Sequence, residues 1–332
     1  MTAGHNFIDP TAHITGKFHT GSWDYIGPFV AVEAYGDFKV QLSDRDNLQD
    51  NVILSATNRD TTIGERSSIA HGARVSNSVI GNFVFIGFNA RVEDAVIEDG
   101  AMILHGAQVS GVTIPANRIV PPGEVIIAPD QIDQLCSLVE ADTHFKAEVV
   151  AVNVELAEGY ERMAAELGPA SVEGVSCNPQ TSWNVQQILP AFGKKVVLAP
   201  DTRVIGNVQL GEDSAIASQA SLRADEGIPI IIGNRARIGE RVTFHALEGQ
   251  TIRVGNEVTI GSRCVLHGGL VVGSQVNVGE NAVLFKSTIG DKVSIGKDAL
   301  VIGVRLADGV KVPDGMHVLD QASADRLSSC CI

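Results

Sequence analysis

The chain has 332 residues, enough for two domains that each bury a core. Its 44% hydrophobic, 19% charged and only 5% aromatic residues, with 34 glycines, favour many short strands and tight turns over helix bundles. A formal net charge of −14 excludes ordinary nucleic-acid binding, and no apolar run approaches the roughly 18 residues a membrane span needs.

The N-terminal stretch MTAGHNFIDP lacks the basic and apolar regions of a signal peptide. From Thr61 the chain reads in steps of six: TTIGER, SSIAHG, ARVSNS, VIGNFV, FIGFNA, RVEDAV, IEDGAM. An aliphatic residue returns at a nearly fixed place in each hexad, the mark of a solenoid. The repeated Ile, Val or Leu is expected to stack on its counterpart one coil away, with Gly and Asn at turn positions of positive φ. Pro122 and Gly123 stop this first array. Residues 129–168 change texture, rich in Ala, Glu and Leu with Val150, Val154, Ala157 and Tyr160 at helical spacing, which predicts an amphipathic helix ended by Gly168-Pro169. A linker is expected over 169–182. A second array follows, starting near Gly193 and running from Val265 as VLHGGL, VVGSQV, NVGENA, VLFKST, IGDKVS, IGKDAL, VIGVRL. The tail LDQASADRLSSCCI allows one short helix. The five cysteines (Cys136, Cys177, Cys264, Cys330 and Cys331) show no disulfide or zinc-knuckle spacing, so a reducing cytoplasm is expected, and the last two read as an incidental mobile end.

Several segments go beyond generic hexads. They are NLQDNVILSAT, IAHGARVS, GVTIPANRIVPPGEVI and VNVELAEGY in the first half, and SLRADEG, RVTFHALEG and CVLHGG in the second. Together they resemble the γ-class carbonic anhydrases and their relatives in carboxysome shells, as two tandem copies over nearly the whole chain. The resemblance implies a mainly β protein of two left-handed parallel β-helix (hexapeptide-repeat) domains, at 1–168 and 183–332, with a long helical segment after the first. Handedness comes only from the resemblance; general crossover rules argue the other way.

In that family, three histidines bind a metal where two subunits meet. Carried over by position, the first falls at His245 in the second copy but at Ser55 in the first copy. The second falls at His71 in the first copy and Ser262 in the second. The third falls at His267 in the second copy and Ser76 in the first. Other positions divide the same way. Arg223, Asp225, Glu226 and Glu248 survive in the second copy. Asn47, Gln49 and Asp50 survive in the first, where the second has Arg237, Gly239 and Glu240. The family's helix asparagine falls at Asn153, and the tyrosine two residues before it is replaced by Ala151.

The resemblance therefore implies reversible hydration of CO2 to bicarbonate and a proton by a metal-bound hydroxide, at a composite site with His71, His245 and His267 as ligands. Zn2+ is the expected metal, with Fe2+ or Co2+ also accepted by imidazoles. Glu248 and Glu226 are expected to move protons, Gln49 to orient the hydroxide, and Asn153 to steady the carboxylates. Arg223, Asp225, Asn47 and Asp50 are expected to be structural or interfacial. The family's ring of three prisms predicts a homo-oligomer with trimer-like packing. Within such a ring, only a mixture of the two copies completes a site. Two other readings stand beside this one. The first is an inactive scaffold or assembly protein. The second is a hexapeptide acyltransferase, for which His105 is the one spare candidate. His5, His13, His19, His144 and His317 read as ordinary surface or turn residues.

Overall fold

The computed structural model describes residues 5–329; Cys330 and Cys331 lie outside the described residues. The chain divides into two compact units, Met1–Glu166 and Leu167–Ile332. Each unit is a stack of coils whose short strands form three sheets, parallel but for one edge strand in the first unit. These have eight, seven and six strands in the first unit and eight, seven and seven in the second. The fold is mainly β, of the hexapeptide-repeat left-handed β-helix class.

The hexad pattern explains the core. Val32, Leu54, Val75, Val92, Val109 and Ile126 are register partners from coil to coil on one face of the first unit. Leu222, Phe244, Leu266, Leu284, Val301 and Val318 do the same in the second. Nearly all are fully buried. Each such side chain contributes about 1.5–3 kcal/mol through burial, so the stacked column holds each prism together.

The turns depart from the expectation of Gly and Asn. Arg45, Arg66, Arg235, Arg241, Arg263 and Lys292 also take positive φ. Their compensation is a backbone bond to the neighbouring coil: Arg66 N–H donates to Asp44 O at 2.9 Å, and Arg235 N–H to Glu212 O at 2.8 Å. A residue with a Cβ pays about 1–2 kcal/mol for this conformation, and the cross-coil hydrogen bond fixes it there.

The predicted helix begins later than expected. Residues Pro129–Gln134 form a 3-10 turn, and Cys136–Ser137 pairs antiparallel with Arg118–Ile119. Arg118 Nη1 holds this segment by donating to Leu135 O and Ser137 Oγ, both at 3.0 Å. The α-helix proper spans Glu140–Leu167. Val139 N–H donates to Asp142 Oδ2 at its start, and Glu140 and Asp142 suit the positive end of the helix. Gly168, at φ +89, and Pro169 end it. Its buried side is Lys146, Val150, Asn153, Ala157, Tyr160 and Met163. Tyr160 stacks on Phe7 at 4.6 Å, and Lys146 Nζ donates to Phe83 O and Gly100 O. The helix therefore covers the sheet that contains Phe7, Tyr25 and Phe85.

The stretch expected as a plain linker is built into the second unit. Val175–Ser176 pairs with Val204–Ile205 and opens its first sheet. Asn178 and Asn184 are buried and hydrogen-bonded to backbone carbonyls. These asparagines, not hexads, order the segment, so no periodicity announces it. At the C-terminus the short helix is Gln321–Ser329, capped by Asp320.

Candidate metal centre

In the first unit the candidate residues gather on the sheet beneath the long helix. Asn47 and Ser68 are register partners, and Asn47 Nδ2 donates to Ser68 Oγ at 2.8 Å. Gln49 Nε2 lies 3.4 Å from Asn47 Oδ1, which leaves the Gln49 carbonyl end free for another group. His71 is fully buried two residues past the strand Ser68–Ile69, with its Nδ1 3.6 Å from Asp50 Oδ1. Asn153 lies on the buried side of the helix. Its Nδ2 donates one hydrogen bond to Val149 O at 2.8 Å.

In the second unit three strands of one sheet carry the rest. Arg223, His245 and His267 are register partners in successive coils, so their side chains leave the same face one above another. His245 Nδ1 lies 3.2 Å from His267 Nε2. The other ring nitrogen of His245 is 3.2 Å from Asp225 Oδ1 and 3.7 Å from Glu226 Oε2. Arg223 Nη1 donates to Asp225 Oδ2 at 2.5 Å, and both side chains are buried. Two corner loops supply the acids. The Asp225 carbonyl accepts from Trp183 Nε1 at 3.0 Å and Asn184 Nδ2 at 2.8 Å, and the Glu226 carbonyl from Asn184 Nδ2 at 3.3 Å. The exposed Glu248 sits in the next loop, and its backbone N–H donates to Glu226 Oε1 at 3.0 Å. Burial holds the Glu226 carboxyl above the usual range, against the opposing pull of His245 and the Glu248 N–H.

Among the described residues, His71 in the first unit and His245 and His267 in the second are the buried imidazoles suited to holding a metal ion. The donor set fits a borderline cation. It is three imidazoles, two of them with a carboxylate near the nitrogen that would face away from the ion. The buried Cys264 is held as a thiol: burial pushes it up to about 12, and its Sγ donates to Gly279 O. His105, the spare histidine, is not one of these three; its Nδ1 accepts the Phe88 N–H. Sequence reasoning missed Ser68, Phe88, Trp183 and Asn184. Phe88 alone left a signal, since it falls one coil after His71 in the stacked hexads.

Two prisms of hexapeptide coils, each carrying buried imidazoles, define a hexapeptide-repeat β-helix protein. Residues 48–137 match the GlmU-like, C-terminal hexapeptide family. The chain is 32% identical over 192 residues to a carbonic anhydrase of Methanosarcina thermophila, covering 52% of this chain and 78% of that protein. It is 28% identical to the carboxysome assembly protein CcmM of a Nostoc species, covering 46% of this chain and 30% of that protein. A hexapeptide transferase family protein from Anaplasma phagocytophilum aligns with a TM-score of 0.38 at 21% identity, over 47% of this chain and 92% of that one. The chain belongs to the γ-carbonic-anhydrase-like family of hexapeptide-repeat proteins.

Proposed function

We propose that the protein interconverts CO2 and water with bicarbonate and a proton, at a metal centre to which one unit contributes His71 and the other His245 and His267. The carrying observation is the division of residues. The unit with Asn47, Gln49, Asp50 and His71 has Ser55 and Ser76 where the other has His245 and His267. The unit with Arg223, Asp225 and Glu226 has Ser262 in the place of His71. Loss at random would not sort the residues so cleanly. The identity with the Methanosarcina carbonic anhydrase supports the same reading.

A divalent cation held by neutral imidazoles supplies Lewis acidity that lowers the pKa of a water to about 7. The chain's own residues do the rest. Asp50 and Asp225 lie beside the outer edges of His71 and His245, which leaves the inner nitrogens as the ones that would hold the cation. The buried Gln49 Oε1 has no hydrogen-bond partner among the described residues and accepts a bond from the reacting water, fixing its orientation. Glu226 and Glu248 carry the released proton outward, from a buried carboxyl to an exposed one in contact through the Glu248 backbone. Zn2+ is the native metal in this reading, with Fe2+ or Co2+ accepted by the same ligands. The protein works in the cytoplasm as a homo-oligomer whose units pack in rings of three. No helix among the described residues is long and apolar enough to cross a membrane.

The test is metal content per chain and CO2 hydration by stopped flow. The wild type should bind metal and hydrate CO2, and His71→Ala and His245→Ala should each lose both. A wild type that binds no metal and hydrates no CO2 sinks the proposal and selects the scaffold reading, which the likeness to the Nostoc carboxysome assembly protein keeps in view.

A further inference from the structure

Behind His71 the first unit carries a column of rings that the reaction above does not use. His71, Phe88 and His105 occupy the same turn position in successive coils, and all are buried. The Phe88 ring lies 5.6 Å from that of His71, tilted by 25°. The His105 ring lies 4.3 Å from Phe88 and is nearly parallel to it, at 9°. His105 is fixed in turn, because its Nδ1 accepts the Phe88 backbone N–H at 3.1 Å. A backbone N–H only donates, so that nitrogen carries no proton and His105 is the neutral Nε2–H tautomer. Gly87 leaves room for this bond: a Cβ there would stand 2.9 Å from His105 Nδ1. In the second unit the corresponding positions are Ser262, Glu280 and Lys297. The rings are missing where the ligand is missing.

We propose that Phe88 and His105 are positioning residues for His71. Asp50 Oδ1 lies 3.6 Å from one edge of the imidazole, and Phe88 covers one face. An imidazole turning about its Cβ–Cγ bond would sweep its lone pair away from an ion. Stacking on a ring that is itself clamped from behind removes that freedom before the ion arrives. The gain is preorganisation: less ordering remains to be done on binding. This inference rests on the reading of His71 as a metal ligand.

The experiment compares full-length wild type with Phe88→Leu, His105→Leu and His105→Phe. Zn2+ affinity is measured by chelator competition, and the visible spectrum of the Co2+-loaded protein reports ligand geometry. Thermal midpoints of the metal-free proteins separate folding from binding. Phe88→Leu and His105→Leu should weaken Zn2+ binding about tenfold or more and change the Co2+ bands, with metal-free midpoints only a few degrees lower. His105→Phe keeps the stack and should recover most of the affinity. If both leucine variants bind Zn2+ within about twofold of wild type with an unchanged spectrum, the rings do not position His71. Should Phe88→Leu not fold, the pair at position 105 decides alone. A wild type that takes up no metal, or a His71→Ala variant that binds as wild type does, removes the ligand reading and this inference with it.

Discussion

The same wall is built twice in this chain, and the two versions have opposite chemistry. In the second unit Arg223, His245 and His267 rise in register from one sheet, with Asp225 beside them, all buried. In the first unit the matching places hold Glu33, Ser55 and Ser76, with Tyr35 in the place of Asp225. There Tyr35 Oη donates to Glu33 Oε2 at 3.0 Å, on the exposed surface. The backbone register is equivalent in both, so the coil dictates where side chains leave the sheet and not what they do. The wall bearing His71 differs in the reverse sense. Asn47 and Asp50 are buried in the first unit, whereas Arg237 and Glu240 are exposed in the second. A buried polar or charged cluster is tolerated only where neighbours satisfy it, and each unit has kept one such neighbourhood.

The sharpest way to break this contrast is to remove a member of the buried network. Arg223→Ala removes the guanidinium that donates to the buried Asp225 carboxylate, and the second unit should lose about 3–5 kcal/mol in urea unfolding while the first changes far less. Trp23 and Trp183 lie one in each unit, so fluorescence can follow them separately. A loss spread over both units would refute the assignment of the pair to one wall.

Next in size is the proposed proton path, whose two acids, Glu226 and Glu248, both belong to the second unit. Glu248→Gln should slow turnover about 100-fold in weak buffer, leave kcat/KM for CO2 nearly unchanged, and be rescued by imidazole buffer. No rescue, or no slowing, removes Glu248 from the path.

The first unit has its own pH signature. Burial raises Asp24 to about 7 and Asp46 to about 8, although backbone N–H groups of Gly21, Asp46, Ser43 and Ser67 favour their charged forms. The folded values lie above the ordinary carboxylate value of 3.8. The stability these acids contribute is therefore complete below about pH 4 and is lost as pH climbs through 7 to 8. Between pH 5 and 8.5 the first unit should lose roughly 2 kcal/mol or more relative to the second, read as a falling urea midpoint. A flat or rising midpoint contradicts it.

The smallest effect belongs to the places where serines stand in for the histidines. Among the bonds that involve Ser55 and Ser76, Thr61 Oγ1 and Ser78 Oγ donate to their backbone carbonyls. Ser55→Ala and Ser76→Ala should change stability by less than about 0.5 kcal/mol and leave metal content unchanged. Loss of metal in either would show that the first unit's serine wall still takes part.

Hexads made the prisms legible, because an inward aliphatic at fixed spacing has few other uses. The three histidines were legible only through their likeness to a family, since periodicity cannot tell His71 from His105. The start of the second unit at Val175 was hidden: Asn178 and Asn184 order it by bonding to carbonyls, and such bonds leave no period. The helix was visible in Val150, Ala157 and Tyr160, but its first residue was not. The edge strand Cys136–Ser137 depends on Arg118, far back in the chain. The turn arginines were invisible because their conformation is set by the coil beneath and not by their own preference.

The corner loops that carry Asp225, Glu226 and Glu248 have one more consequence. His245 and His267 are separated by 22 residues, against 17 between Phe88 and His105, yet Leu222, Phe244 and Leu266 stay in step across both loops. Extra length at a corner is absorbed locally. A lineage can thus try new reactive groups there by insertion, much as tools are exchanged on a fixed handle, while selection on the packing inside proceeds separately.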